Sequence, residues 1–367
     1  MLKQIKDINE LVLMWDLDEN LRNEKLSTLM KWKEDLDEEE FEIVLKICNY
    51  FNYYSEKKSA HVYKSVFEEK ICSMESVDVF IKKSMFMPLR RKDRIESAIG
   101  MLLSFIYLNN IDVNRTNVNG PVDYLKKYKA KKESASKIVE KCDQEDSADD
   151  AAILNLQEKS AIQSNQKVKS KIEKQISGLQ ARKAKREKRL NEVVKEYDEK
   201  YHSVKNLIII DDFIGTGKSV IKLLNQIGEI TKDSDIGTKL HFLVIEASKS
   251  GMEAIKKTAK RLNIEIQISF YKISTDVLEE DTVFSSDNID QIKEMISNIN
   301  KKNKLRKSEY CRNHAIASFI NAPNNNLTLL SKENSNWKAL FLRKTRNNDR
   351  EEKDSDELKD AMQSLRK

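Results

Sequence analysis

The stretch "NLIIIDDFIGTGKSV", residues 206–220, runs from apolar residues through two aspartates and a glycine-containing turn to a Lys-Ser pair. An unbroken apolar run with β-branched residues, closed by turn residues, reads as a buried strand. The continuation, "GKSVIKLLNQIGEI", puts Val220, Leu223, Leu224 and Ile227 on one helical face. The segment is therefore strand, turn, helix. Gly217-Lys218-Ser219 matches the end of an ATP-binding P-loop, but that pattern, G-x-x-x-x-G-K-[ST], needs glycine at position 212. Asp212 stands there beside Asp211, and a carboxylate pair would repel a triphosphate. The residues suit instead a ligand with hydroxyls at one end and a single phosphate at the other.

In an open parallel sheet, ligands bind beyond the carboxyl ends of the strands. Asp211 and Asp212 stand at that end of the 207–210 strand. The amides of Gly215, Thr216, Gly217, Lys218 and Ser219 open the following helix as an anion nest, aided by the helix dipole. The Thr216 and Ser219 hydroxyls add donors, and the glycines allow close backbone approach. The two carboxylates suit the vicinal hydroxyls of a ribose, with Mg²⁺ as mediator.

Outward from this segment, "TKLHFLVIEAS" is a second apolar strand, "GMEAIKKTAKRLN" a second helix and "IEIQISFYKIS" a third strand. Such alternation implies an α/β fold with a parallel sheet covered by helices. "DNIDQIKEMISNINKKN" adds a helix and "HAIASFI" a short strand. Upstream, residues 1–75 read as a helical leader, in which Asp37 caps a helix with Phe41, Val44, Leu45, Cys48 and Phe51 on its apolar face. Residues 76–124 form the first part of the α/β core, with an apolar run ending at Pro88 and Leu89. Arg90, Arg91, Lys92 and Arg94 follow. They suit a pyrophosphate-holding loop or a solvated charged surface.

Residues 125–202 differ from both sides. Ile172, Ile176, Leu179, Leu190, Val193 and Val194 make a thin apolar seam in an otherwise charged helical stretch. This reads as a coiled-coil-like insertion, either a hairpin or a self-association arm that makes a homo-oligomer. The crowded Arg182, Lys183, Lys185, Arg186, Lys188 and Arg189 also suit nucleic acid, although acidic residues flank them. The α/β core resumes over 203–346, and 347–367 is a charged tail.

Composition agrees with long helices, because 367 residues contain only 8 Gly and 3 Pro. The formal charge of +6 does not by itself point to nucleic acid. Cys48, Cys72, Cys142 and Cys311 form no C-x-x-C pair, which argues against a zinc site or a disulfide framework. The N-terminal stretch has no uninterrupted apolar core of a signal peptide. No stretch approaches the roughly 18 apolar residues of a membrane span. These features fit a cytoplasmic protein without a membrane partner.

Residues 207–219 resemble the phosphoribosyl-pyrophosphate signature of type I phosphoribosyltransferases: an apolar strand, two acidic residues, a short turn, Thr-Gly, a variable residue and Ser or Thr. Phe213 and Lys218 depart from the usual small or aliphatic choices. A second segment, "NAPNNNLTLLSKENSNWKALFLR" (321–343), resembles the ending of phosphoribosyltransferase-like proteins of bacterial conflict systems, matching at Pro323, Asn324, Asn325, Leu327, Trp337, Leu340, Phe341 and Arg343. Ala339 replaces that group's proline. The resemblance implies a type I phosphoribosyltransferase-like sheet, phosphoribosyl pyrophosphate or another 5′-phosphoribosyl ligand, and Mg²⁺. It implies that Asp211 and Asp212 hold the ribose hydroxyls and Gly215–Ser219 the phosphate.

Asn324 and Asn325 are open between a structural turn and a base-reading role, and Arg90 and Arg91 are candidate pyrophosphate contacts. The same likeness implies a toxic effector of anti-phage defence, encoded beside modules such as retrons and acting at ribose C1′. The alternatives are a binding-only module for a nucleotide or nucleic-acid end, and a structural subunit docked on a reverse transcriptase and its RNA/DNA product.

Overall fold

Strand β3 (Asn206–Ile210) lies between β2 (Ser84–Pro88) and β5 (Lys239–Ser248), parallel to both. A strand paired at both edges and covered on both faces accepts only apolar side chains. Leu207, Ile208, Ile209 and Ile210 are accordingly fully buried. Strand β6 (Ile266–Ser274) pairs with the other edge of β5, and every pairing in the sheet is parallel. The computed structural model describes residues 7–72, 76–89, 98–198, 201, 203–232, 237–279, 281–284, 288–307 and 309–343. The basic stretch at 90–94, which includes Arg90 and Arg91, and the tail at 347–367 lie outside the described residues.

Parallel strands require crossovers, and helices supply them here. Helix α9 (Lys218–Thr231) joins β3 to β5, and α10 (Lys249–Leu262) joins β5 to β6. The two pack together, and α10 also lies on β5 and β6. On the other face lie α4 (Glu56–Val66) and α6 (Ala98–Leu108), which contact β5 and β2 respectively. Phe67, Phe86 and Phe105 meet there with Tyr63, Ile208, Ile210, Leu243 and Ile245. The alternate sheet residues thus face opposite helical layers, as the period of two requires.

A second core stands beside this sheet. It unites α1 (Ile8–Leu13), α2 (Glu19–Asp35) and α3 (Glu38–Tyr50) with α11 (Ile289–Lys302), α12 (Thr328–Ser331) and the loop around Trp337. Asp37 begins α3 in a full capping box with Glu40. Trp32 stacks on Trp337 at 4.7 Å between centroids, and Phe51 stacks on Phe341 at 4.7 Å. The N-terminal helices and the C-terminal segment are therefore one body. A small parallel pair, β1 (Asn52–Tyr54) with β7 (Ile316–Ser318), links the two cores. β7 falls on the expected "HAIASFI" strand, whereas β1 is hidden in a run that reads as the end of α3.

Residues Asp123–Lys205 form a separate unit. Most of it is two helices, α7 (Pro121–Ile162) and α8 (Gln166–Tyr197). Arg186 of α8 bonds Asp146 and Asp149 of α7, and Lys183 bonds Asp150. Contacts that run in opposite chain directions make the helices antiparallel. Tyr128 meets Tyr197 and Tyr201, so aromatic packing supplements the thin apolar seam. No helix among the described residues is long and apolar enough to cross a membrane.

Candidate phosphate and ribose site

The acidic pair sits in an interruption of the sheet. Asn206 lies opposite Lys239 in the β3–β5 ladder, and Phe213 lies opposite Glu246 where β4 (Phe213–Ile214) pairs with β5. The pairing offset is the same, so β4 continues β3 along β5. Two backbone bonds carry the ladder across the gap: Asp211 N–H to the Leu243 carbonyl at 3.2 Å, and Ile245 N–H to the Asp212 carbonyl at 2.9 Å. On the other edge, the Leu89 N–H bonds the Ile210 carbonyl at 2.9 Å. Asp211 and Asp212 therefore stand just past the carboxyl end of β3 while still held to β5, and ligands of open parallel sheets bind beyond the carboxyl ends of the strands.

Asp211 is buried and Asp212 half-buried. Asp212 Oδ1 accepts the Phe213 N–H at 2.9 Å, which orients that carboxylate over the turn. Tyr63, on α4, donates its hydroxyl to the Asp211 carbonyl at 2.7 Å. Burial first, then the Asp212 and Asp211 carboxylates, raises the Tyr63 phenol well above its ordinary value of 10. It is therefore a permanent donor.

The turn into α9 is held by close backbone packing. Gly217 is the N-cap of α9 with φ of +73°, a left-handed conformation that glycine adopts without strain. A Cβ there would fall 2.8 Å from the Gly251 carbonyl oxygen. A Cβ on Gly251, in the first turn of α10, would overlap the Gly215 carbonyl oxygen. Ser248 caps α10 by accepting the Gly251 N–H, and its hydroxyl donates to the Gly215 carbonyl at 2.5 Å. Helix α9 itself has no side-chain cap and no acidic residue in its first turn. The Gly217 N-cap offers no side chain to its first amides, and the dipole adds positive potential there.

Residues 211–219 thus run without interruption from the β3–β4 break into the start of α9. Thr216 and Ser219 are half-buried and Lys218 is exposed, its ammonium 4.6 Å from the centre of the Tyr310 ring. The structure also brings Asn325 to this segment: a Cβ on Gly215 would fall 2.6 Å from Asn325 Nδ2. Asn324 is exposed, whereas Asn325 is buried. Trp337 and Phe341 are core residues, and Arg343 donates to the Ala322 carbonyl at 2.8 Å, so much of the 321–343 motif secures the second core.

Sequence reasoning missed Tyr54, Tyr63, Glu246 and Ser248. Glu246 is buried on β5 and accepts the Tyr54 hydroxyl at 2.6 Å. Burial raises its pKa, opposed by bonds from Tyr54 and Ser274 and by the charges of Lys272 and Lys58. Its signal was readable, since "VIEAS" puts a carboxylate and a hydroxyl at the carboxyl end of a buried parallel strand. Tyr54 and Tyr63 carry no such signal.

Among the described residues, no group of three or more His, Cys, Asp or Glu side chains could hold a metal ion. Asp211 and Asp212 offer two carboxylates at the β3–β4 break. This fits Mg²⁺, which keeps several waters and takes its other ligands from substrate phosphates. His241 and His314 are both buried, their pKa values pushed down to about 4 by burial first and then by Lys239 and Arg312 respectively.

A family model, PRTase-CE, matches residues 29–343, which include both the 206–220 stretch and the 321–343 ending. No curated protein and no solved structure matches the chain.

Proposed function

The chain belongs to the PRTase-CE family, and from that premise we propose that the crevice binds a 5′-phosphoribosyl group. The observation that carries this reading is the acidic pair at the β3–β4 break, followed directly by the side-chain-uncapped start of α9. In this reading the amides of Gly215 to Ser219 receive the 5′-phosphate, and the Thr216 and Ser219 hydroxyls donate to it. Asp211 and Asp212 bind the ribose 2′- and 3′-hydroxyls and hold Mg²⁺, which when bound neutralises charge on a leaving pyrophosphate.

Transfer at C1′ passes through an oxocarbenium-like centre, so positioning and charge stabilisation carry the work. The Asp212 and Asp211 carboxylates stabilise the positive charge that develops on the ring. Sequestered by Tyr63 and the β5 ladder, the backbone of Asp211 keeps both carboxylates in register with the phosphate loop. We extend the proposal to a phosphoribosyltransferase-like effector of anti-phage defence on the likeness of the 321–343 ending to proteins encoded beside retrons. A reverse transcriptase with its RNA/DNA product is then the partner to look for.

The test is calorimetric titration of the full-length protein with phosphoribosyl pyrophosphate and Mg²⁺, beside the Asp211→Asn/Asp212→Asn double variant. Saturable binding lost in the variant supports the reading. A folded wild type that fails to bind overturns it and directs the loop to another phosphate. Binding without turnover over a panel of bases would instead favour a sensing module.

A further inference from the structure

The most constrained point of the phosphate loop is Gly215, and a polar chain from the far edge of the sheet ends on it. Asn325 lies against the Gly215 α-carbon, close enough that a Cβ there would fall 2.6 Å from Nδ2 and 2.9 Å from Cγ. Its carboxamide nitrogen lies 2.6 Å from His314 Nδ1, and Ser274 Oγ lies 2.9 Å from the same nitrogen. Ser274 ends β6, opposite Ser248 of β5, and its hydroxyl also bonds the Glu246 carboxylate. The Asn325 carbonyl accepts both the Arg312 N–H (2.8 Å) and the His314 N–H (3.2 Å), which fixes the residue's backbone. Asn325, His314 and Glu246 are 3%, 4% and 2% exposed.

We infer that Asn325 is a positioning residue for the phosphate loop: held by His314, its carboxamide is the wall on which Gly215 rests, opposite the grip of Ser248 on the Gly215 carbonyl. The inference rests on the reading of that loop as the phosphate site. Two features separate it from a base-reading role. The carboxamide is already committed to His314, and it is buried against Gly215 instead of facing the crevice. Asn325 Nδ2 and Ser274 Oγ both lie against His314 Nδ1, on a ring that burial favours in its neutral form. Glycine at 215 then has a local reason beyond ligand approach, since any side chain would displace the Asn325 amide.

The contact makes a reciprocal prediction that simple loss of stability does not. Asn325→Ala should free the loop, speeding hydrogen exchange of the 216–219 amides about tenfold or more in the ligand-free full-length protein while α11 amides keep their rates. Gly215→Ala should do the same by collision. In the double variant the new methyl occupies the space left by the carboxamide, so loop exchange should be slower than in Gly215→Ala alone. Asn325→Leu, which keeps the bulk of the side chain without burying a charge, should keep more loop protection than Asn325→Ala; it decides the matter if Asn325→Ala lacks a cooperative melt.

Unchanged loop exchange in Asn325→Ala with a lowered Tm, loop protection in Asn325→Leu no better than in Asn325→Ala, or purely additive effects in the double variant would overturn the inference. The exchange readout needs no ligand. A wild type that fails to bind phosphoribosyl pyrophosphate therefore removes the functional reading while this test still returns its own answer.

Discussion

The Tyr63 hydroxyl donates to the Asp211 backbone carbonyl at 2.7 Å, joining helix α4 to the acidic pair across 148 positions of sequence. The acceptor is a main-chain atom in the gap between β3 and β4. A helix of the N-terminal region thus helps fix the backbone of the acidic pair. The link runs from packing to site geometry.

Tyr63→Phe keeps the ring in its aromatic cluster with Phe105 and deletes only the donor. Losing one buried hydrogen bond costs about 1–2 kcal/mol, which in a domain of this size lowers Tm by about 2–6 °C. Thermal unfolding followed by circular dichroism checks the stability effect. An affinity for phosphoribosyl pyrophosphate that also falls would show that the bond positions the acidic pair. An unchanged Tm would mean that the hydroxyl contributes nothing net.

Two glycines, one capping a helix and one inside a helix, should respond in opposite directions to the same change. Gly217→Ala places a methyl 2.8 Å from the Gly251 carbonyl at φ of +73°, combining a collision with left-handed strain of about 1–2 kcal/mol. It should lower the melting temperature and abolish phosphate-ligand binding. Gly178 lies within α8, where an added Cβ meets nothing within 4 Å. Gly178→Ala should stabilise that helix by about 0.5–1 kcal/mol. Chemical denaturation of both variants, with exchange of the α8 amides for the second, tests the contrast. Equal effects would contradict the packing described for the loop.

Acid should destabilise the protein before most carboxylates titrate. His241 and His314 are buried with pKa values pushed down to about 4, against an ordinary 6.5. A depressed folded value means that the unfolded chain takes up protons first. The stability from the neutral rings is therefore complete above about pH 6.5 and is lost progressively as pH falls towards 4. Each ring contributes a slope of about 1.4 kcal/mol per pH unit inside that window. His241 Nε2 faces Asn206 Oδ1 at 3.0 Å, so His241→Gln keeps a donor without a titrating ring. Urea unfolding at pH 7, 5.5 and 4.5 should show about half the wild-type slope in that variant. A slope unaffected by the substitution would remove His241 from the account.

The 206–220 stretch is legible because local chemistry and global placement agree there. An apolar strand, two acids and a glycine turn have few other uses, and all of them lie within one short segment. The strand–helix alternation that follows is legible for the same reason, since period and composition are local quantities. Asn325 is the intermediate case. Its place in the 321–343 ending marks it, but its position on Gly215 depends on how β7 and the following turn return to the sheet. Strand β1 was not legible, because Asn52, Tyr53 and Tyr54 continue the polar-aromatic texture of α3 and become a strand only through pairing with residues 316–318.

Sequence alone determined the parallel α/β core and the strand–turn–helix order of 206–220, because each is set by residues adjacent in the chain. Tertiary structure decided what surrounds them. It made β4 a continuation of β3, so that the aspartates stand in an interrupted strand. It brought Tyr63, Glu246 and Ser248, and Asn325 to that interruption from three separate segments. It also merged the N-terminal helices with the 321–343 ending through the Trp32–Trp337 stack. Such contacts follow from burial and close packing among distant residues, which no local pattern encodes.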